Sequence, residues 1–298
     1  MGLEDAVTFL IPTLNEREGI GPTIDEIKSL GFKKIIVVDG YSTDGTAEIA
    51  KEKGAKVVYQ HGKGKAAAIT TGLKHVDTPY VAIIDGDHTY NPSDVIKALK
   101  IIENYDEVII VRGNRKHIPL LNRFGNWVIT NMFNILFGVK LKDVLSGFYV
   151  LKTDVVKEVN FEATGFSIEV AIAAYLASQL KRIGEVIGDY RARKGKSKLR
   201  KIHGLKILFD TFLLAAKFNP VFLIFLIGSV FLIPGGAIIS YVALDYLAYR
   251  VFHFVLAFVG FSLFNVGLIS LLLSILALYL KRMEYRLNEK IEGLRKDV

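Results

Sequence analysis

Tyr80-Val81-Ala82-Ile83-Ile84-Asp85-Gly86-Asp87 is the stretch that decides the fold. A short apolar run leads straight into two carboxylates one residue apart, which reads as a buried strand delivering acids at its carboxyl end. The same pattern recurs upstream. Val7–Ile11 runs into Pro12-Thr13-Leu14-Asn15-Glu16, and Lys34–Val38 into Asp39-Gly40-Tyr41-Ser42-Thr43-Asp44-Gly45-Thr46. Further strands are expected at Lys56–Tyr59 and Glu107–Val111, with helical spacing over Gly21–Ser29, Thr46–Lys53, Ala66–His75 and Pro92–Glu103. Asp44 is placed to cap the second helix, and Asn91-Pro92 reads as a cap followed by proline at the first helical position. Strand alternating with helix predicts an α/β fold with a doubly wound parallel sheet and ligands at the carboxyl ends of its strands.

Composition narrows the function classes. The chain has 298 residues, 51% hydrophobic and 23% charged, which excludes a disordered or fibrous protein. It contains no Cys, which excludes a disulfide scaffold, a thiolate zinc site and a Cys nucleophile. The formal charge of +8 favours an anionic partner: phosphate-bearing small molecules, acidic lipid or nucleic acid.

The hydrophobic residues gather at the C-terminal end. Phe218–Leu244 and Val251–Leu280 contain no Asp, Glu, Lys or Arg, and each exceeds the roughly 20 residues a helix needs to cross a bilayer. Two transmembrane helices joined by a turn near Asp245–Arg250 are expected, with Pro234-Gly235-Gly236 tolerated inside the first. Arg200, Lys201, Lys206 and Lys217 precede the pair, and Lys281, Arg282, Arg286, Lys290, Arg295 and Lys296 follow it, while the turn offers only Arg250. The positive-inside rule then puts both termini and the large domain in the cytoplasm, and Val7–Ile11 is too short for a signal-peptide core. The expected organisation is a domain over 1–199, an amphipathic interface helix over 200–217, two spans over 218–280 and a basic tail over 281–298. Leu120–Phe137 is also amphipathic, and reads equally as an interface helix or a core helix.

Asp85 and Asp87 suit a hard divalent cation, Mg²⁺ or Mn²⁺, which takes oxygen ligands and shares them with substrate phosphates. His61-Gly62-Lys63-Gly64-Lys65-Ala66-Ala67 is a basic, glycine-rich loop opening a helix, suited to a phosphate but lacking P-loop spacing. From Lys181 to Lys206 there are ten Lys/Arg against Glu185 and Asp189. Such a run serves as a collar for anionic lipid or as a holder of substrate phosphate.

Pro12-Thr13-x-Asn15-Glu16, Asp39 with Ser42-x-Asp44-Gly45-Thr46, Asp85-x-Asp87 and Ser146-Gly147-Phe148 together resemble the family-2, GT-A-fold glycosyltransferases. Gly165-Phe166-Ser167-Ile168-Glu169 and Tyr190-x-x-Arg193-x-x-x-Ser197-Lys198-Leu199 narrow the resemblance to polyprenyl-phosphate hexose synthases. It looks closest to the archaeal dolichyl-phosphate type, covers roughly residues 5–200, and implies a Rossmann-like GT-A domain with a mainly parallel sheet followed by a two-helix transmembrane hairpin. It implies a metal-dependent, inverting transfer of a hexose from a nucleotide diphosphate sugar to dolichyl or polyprenyl phosphate, supplying lipid-linked sugar for glycosylation. UDP-glucose is the first expected donor and GDP-mannose the alternative.

By that resemblance Pro12, Thr13, Asn15, Glu16, Asp39, Gly40, Ser42 and Gly86 form the nucleotide-sugar side. Lys65 takes the donor phosphates, and Asp85, Asp87 and Thr89 hold the metal. Arg115, Arg123, Arg193, Ser146, Ser197 and Lys198 hold the acceptor phosphate or the diphosphate, with Asp85, Asp87, Arg115 and Arg123 counted as catalytic. Three positions depart from the family: Gly40 where a second Asp is common, Leu14 where Tyr is frequent, and Thr89 where mannose synthases often carry Gln. A processive polysaccharide synthase would need a Gln-x-x-Arg-Trp motif that this chain lacks. A non-catalytic membrane scaffold or flippase accessory would not need Asp85 and Asp87. A nucleic-acid binder would carry its charge away from the membrane segments, and no nucleic acid is expected. A homo-oligomer is compatible with the sequence.

Overall fold

The computed structural model describes residues 2–159, 168–194, 207, 209–214 and 220–296. The chain forms two compact units, Met1–Leu214 and Ala215–Val298.

The first unit is built on a seven-stranded sheet of order β3-β2-β1-β4-β6-β5-β7. Its strands are β1 (Val7–Thr13), β2 (Ile35–Asp39), β3 (Lys56–Tyr59), β4 (Tyr80–Ile84), β5 (Glu107–Arg112), β6 (Phe148–Lys152) and β7 (Ile183–Gly188). All pairings are parallel except those of β6, which runs antiparallel to both β4 and β5. The sheet is therefore mixed and mostly parallel, in keeping with the mainly parallel GT-A sheet expected from the sequence, with β6 as the antiparallel member. β6 and β7 are additional strands. β7 is masked in sequence by Gly184 and Gly188, which are required there: a Cβ at 184 would meet the Tyr105 ring at 2.9 Å, and one at 188 would meet Ile110 Cγ2 at 2.3 Å.

Both faces of the central strands are buried, which is why they read as continuous apolar runs. Phe9, Ile11, Val37, Ala82, Ile84, Val108, Ile110 and Phe148 line one face, packed against Ile20, Ile24 and Ile27 of α1 (Arg17–Ser29) and Val95 and Leu99 of α4 (Val95–Leu99). α2 (Thr46–Glu52) and α3 (Gly64–Leu73) complete the crossovers from β2 to β4. α3 sits so close to the sheet that a Cβ on Gly72 would lie 2.2 Å from Leu10 Cδ1.

Two helix boundaries differ from the sequence reading. α1 begins at Arg17, four residues before the expected Gly21. Gly19, Gly21 and Pro22 are poor helix formers, but Gly19 is imposed by packing, since a Cβ there would lie 2.5 Å from Gly86 O. The helix expected over Pro92–Glu103 is broken into a 3₁₀ turn at Pro92–Asp94, α4, and a second 3₁₀ turn at Ile102–Asn104. Asn91 caps the first turn by accepting from Ser93 N, while the Asp94 carboxylate is taken by the amide of Asp189 (2.7 Å).

α5 (Leu120–Phe137), α6 (Thr153–Lys157) and α7 (Ile168–Ser178) complete the described helices of this unit, with residues 209–214 also helical. α5 buries Ile129, Phe133 and Leu136 and exposes Leu120 (77%), Phe124 (62%), Trp127 (56%) and Ile135 (69%). It is thus half a core helix and half an open apolar face.

The second unit holds α8 (Pro220–Tyr249) and α9 (Phe254–Lys296). Ile224–Tyr249 and Phe254–Leu280 are 26 and 27 residues long, apolar and mostly exposed. The turn falls at residues 250–253, a few residues later than expected, and Asp245 remains in α8 and pairs with His253 (2.7 Å). Pro234 leaves α8 unbroken. Gly235 packs on Phe264 and Gly267 on Leu232 so tightly that an added Cβ would lie 2.4 Å from a backbone nitrogen in each case. Small residues that let backbones approach are the usual glue of membrane helix pairs.

Candidate active site

β1 hydrogen-bonds to β2 on one side and to β4 on the other, so the chain reverses its winding direction between β1 and β4. In open α/β sheets ligands bind at such a switch point, outside the carboxyl ends of the strands. The loops leaving β1, β2 and β4 meet there, and each contains a non-glycine residue with positive φ: Asn15 (52°), Tyr41 (62°) and His88 (61°). Strain of this kind persists only where surrounding contacts enforce it.

The β1 and β2 loops are stitched together around Asp39, which is fully buried. Its carboxylate accepts from Ser42 N (2.7 Å), Ser42 Oγ (2.6 Å) and Thr13 Oγ1 (3.3 Å). Asn15 N donates to Ser42 Oγ (2.8 Å), Asn15 Oδ1 accepts from Thr43 N (2.8 Å), and Gly40 N donates to Thr13 O (2.8 Å). Asp39 thus shapes this loop pair from beneath. Asp44 does not occupy the cap position, which belongs to Gly45 at φ 90°. It accepts from Thr46 N (3.1 Å) and Arg17 N (3.2 Å) and ties α2 to the start of α1.

The β4 loop carries the two acids. Asp85 Oδ1 accepts from Lys65 Nζ (2.5 Å), and Lys65 also pairs with Glu169 on α7. Burial works against the lysine charge, but Asp85 and Glu169 outweigh it and hold the Lys65 ammonium well above the usual lysine range. Asp87 Oδ1 accepts from Thr89 N (3.1 Å) and Thr89 Oγ1 (2.6 Å), and Asp87 Oδ2 pairs with Arg193 Nη1 (2.9 Å). Burial pushes the Asp87 carboxyl up, the neighbouring Asp85 charge adds to this, and Thr89 and Arg193 oppose it.

Two carboxylates offering hard oxygen donors one residue apart fit a divalent cation. Space is kept for that chemistry by Gly147, where a Cβ would fall 2.0 Å from Asp85 Oδ2. Gly86 similarly lets β4 approach β1, since a Cβ there would meet Thr13 Cγ2 at 2.8 Å.

Arg193, expected at the acceptor phosphate, pairs with two carboxylates. Its Nη2 pairs with Glu16 Oε1 (2.6 Å) while Nη1 holds Asp87, so it bridges the β1 and β4 loops. The segment after β7 doubles back to put it there. Tyr90 and Tyr190 form an antiparallel bridge, Arg191 N donates to Thr89 O (2.7 Å), and Lys194 N donates to Asp87 O (3.3 Å). Arg191, Glu26 and His88 clamp the outer side of this turn, with Arg191 Nη1 to Glu26 at 2.8 and 2.9 Å and His88 Nε2 to Glu26 Oε1 at 2.9 Å. Burial opposes the Glu26 charge, but Arg191 and His88 prevail and lower its pKa.

The other expected residues are more dispersed. Ser146 is buried, and its hydroxyl donates to Ile110 O (2.6 Å), so it secures β6 against β5 beneath the site surface and does not face an acceptor. Thr89 is also buried and serves Asp87 directly. Arg115 donates to Lys142 O (3.2 Å) and Arg123 to Ile118 O (3.1 Å), both around the start of α5; among the described residues neither pairs with Asp85 or Asp87. Pro12 is buried within β1. Ser197 and Lys198, the Gly165-Phe166-Ser167 part of the motif, and the basic flank Arg200, Lys201, Lys206 and Lys217 lie outside the described residues.

Sequence reasoning passed over several participants. Arg112 and Asp143 form a two-pronged ion pair (2.6 Å for each bond), with Arg112 over the Tyr190 ring at 5.8 Å. Arg112 ends β5, so the strand-end rule that found Asp39 and Asp85 reaches it too; Asp143 has no local signal. Glu169 lay within a quoted motif without a role. Tyr90 OH accepts from Gly147 N (2.7 Å) and holds the glycine that faces Asp85.

Residues 8–150 match the family described as Glycosyl transferase family 2. Glycosyltransferase AglJ of Haloferax volcanii is 34% identical over 98% of this chain and 100% of that protein. Dolichyl-phosphate hexose transferase of the same organism is 31% identical over 67% of this chain and 89% of that protein. Among solved structures, glucosyl-3-phosphoglycerate synthase from Mycobacterium tuberculosis, crystallised with Mn²⁺, UDP-glucose and phosphoglyceric acid, superposes with a TM-score of 0.59 at 21% identity. That match covers 71% of this chain and 80% of the other, and it establishes the GT-A fold.

Proposed function

The chain belongs to glycosyl transferase family 2, and from that premise we propose that it moves a hexose, with inversion, from a nucleotide diphosphate sugar to a polyprenyl phosphate of the dolichyl type. The observation that carries this reading is the Asp85–Asp87 pair at the sheet's switch point, with Lys65 set against it, on a chain that also bears two helices long and apolar enough to span a bilayer. The similarity to dolichyl-phosphate hexose transferase supports the acceptor class.

In the proposed reaction an oxygen of the acceptor phosphate bonds to the anomeric carbon as that carbon's bond to the nucleoside diphosphate breaks. The phosphate is already ionised near neutral pH, so no side chain need remove a proton from it. The difficulty is electrostatic, because two anions must meet. Asp85 and Asp87, with Thr89 steadying Asp87, would hold Mg²⁺ or Mn²⁺, whose positive charge stabilises the leaving diphosphate when bound. Lys65 would face the same phosphates. Pro12, Thr13, Asn15, Glu16, Asp39, Gly40, Ser42 and Gly86 would shape the nucleoside side. Arg115, Arg123, Ser197 and Lys198 would receive the acceptor phosphate.

α8 and α9 would form a transmembrane hairpin, and the flanking Lys and Arg would keep the first unit in the cytoplasm. The open face of α5 would rest in the headgroup layer, aromatic rings inward. UDP-glucose is the favoured donor and GDP-mannose the alternative. The retained Asp85–Asp87 pair weighs against a non-catalytic scaffold.

The test is to incubate membranes containing the protein with labelled UDP-glucose, GDP-mannose and other donors and to identify the extracted lipid by mass. A hexosyl polyprenyl phosphate made by the wild type and not by Asp87→Asn is expected. Sugar found only on a water-soluble product would overturn the acceptor assignment.

A further inference from the structure

Among the described residues, four carboxylates and two cations interlock at the switch point: Asp85 and Glu169 on Lys65, and Asp87 and Glu16 on Arg193. Counted by themselves, these six side chains carry two more negative charges than positive ones, a balance that suits a divalent cation. Lys65 sits at the start of α3, whereas Arg193 is carried on the turned-back segment after β7. Its two terminal nitrogens are engaged, but its buried Nε has no acceptor among the described residues. A guanidinium with an unused donor beside the Asp87 carboxylate is equipped to take an oxyanion as well as the carboxylates it now holds.

We propose that Arg193 is a resident cation that holds Asp87 until a divalent ion binds there, and that it is then handed from Asp87 to a substrate phosphate. This rests on reading Asp85 and Asp87 as the metal pair. Arg193 and the ion compete for one carboxylate, since two cations at that distance repel in a partly buried site. Glu16 keeps the other prong of the guanidinium and limits how far it travels, so Arg193 exchanges partners in place. The consequence is an order of events. The ion and the donor diphosphate enter together, because the ion frees the arginine and the diphosphate receives it, which offsets the charge repulsion just created. One arginine would thereby make cation binding weak without nucleotide and tight with it, a linkage in which each ligand raises the affinity for the other.

The experiment uses the full chain in detergent and measures Mn²⁺ binding from the loss of the free Mn²⁺ paramagnetic resonance signal. Mn²⁺ is titrated alone, and UDP and GDP are then titrated at saturating Mn²⁺. Without nucleotide, Arg193→Gln should bind Mn²⁺ roughly three- to tenfold more tightly than wild type, the scale of one partly buried ion pair removed from competition. With Mn²⁺ present, the same variant should bind the nucleoside diphosphate roughly tenfold more weakly, as expected for a lost charge-assisted bond. Arg193→Lys, which keeps a cation, should stay near wild type in the first titration.

Opposite shifts from one substitution are what a merely damaged site would not give. Unchanged or weaker Mn²⁺ binding in Arg193→Gln, together with lost binding in Asp87→Asn, would overturn the exchange and leave the metal pair standing. Tighter Mn²⁺ binding with unaltered nucleotide binding would overturn the hand-over to phosphate. If Arg193→Lys gains as much as Arg193→Gln, shape and not charge is responsible, and the proposal fails. Undiminished Mn²⁺ binding in Asp87→Asn would remove the metal reading itself.

Discussion

Gly147→Ala adds one methyl group where the structure leaves no room for it. The new Cβ would stand 2.0 Å from Asp85 Oδ2 and 2.7 Å from its Cγ, against about 3.5 Å for an ordinary contact. The backbone cannot yield easily: Gly147 N is held by Tyr90 OH at 2.7 Å, and the next residue opens β6, locked between β4 and β5. Asp85 must therefore move by about 1 Å or more. Moving it strains the contact with Lys65, a charge-assisted bond of about 1.5–3 kcal/mol. A reacting group misplaced by that distance costs about 10²-fold in rate. The expected outcome is a fall of about two orders of magnitude in kcat/KM for sugar transfer, with weaker Mn²⁺ binding and a lower unfolding temperature. Steady-state transfer with the proposed lipid acceptor, Mn²⁺ titration and thermal unfolding in detergent measure the three. Wild-type turnover and wild-type Mn²⁺ affinity in a folded variant would refute the argument that Gly147 exists to admit the Asp85 carboxylate.

Three further outcomes can be checked independently. Burial, with Glu169 adding to it, raises Glu107 from an ordinary 4.5 to about 8, so the folded chain grips this proton more tightly than the unfolded one. The stability it contributes is intact below about pH 4.5 and is lost as pH rises towards 8. The advantage of Glu107→Gln over wild type should thus grow by at most about 1.4 kcal/mol per pH unit across that window and then level off; parallel unfolding curves would contradict it. Gly267→Leu, whose Cβ would lie 2.4 Å from Leu232 N, should destabilise the α8–α9 pair by about 1–3 kcal/mol in detergent unfolding, whereas Gly125→Ala, with nothing within 4 Å, should not. Trp127 is the chain's single tryptophan and is 56% exposed on α5. Its fluorescence should be quenched by brominated acyl chains after reconstitution, and absence of quenching would remove α5 from the interface.

Much of the site was legible because the fold writes it locally. Asp39, Asp85 and the Pro12–Glu16 loop each follow an apolar strand directly, so periodicity alone put them at strand ends. Residues joined only through space were harder to see. Asp143 reaches Arg112 across 31 residues, and Arg193 reaches Glu16 across 177. Arg193 was expected to hold a phosphate, and its carboxylate partners Glu16 and Asp87 depend on how the chain turns back after β7. Ser146 was placed with the acceptor phosphate by the family resemblance of Ser146-Gly147-Phe148, and its buried hydroxyl donates inward to Ile110 O.

The sequence by itself determined that strands alternate with helices, that acids cluster where strands end, and that two apolar helices follow. These are properties of neighbouring residues, set by side-chain periodicity and by the length of charge-free runs. Only the tertiary structure decided that β6 runs antiparallel, that glycines at 19, 86 and 147 are demanded by close approach, and that Lys65 and Arg193 divide the two aspartates between them. Strand direction, backbone clearance and ion-pair choice are set by which segments meet in space, and pairs far apart in the chain leave no periodic trace from which that meeting can be read.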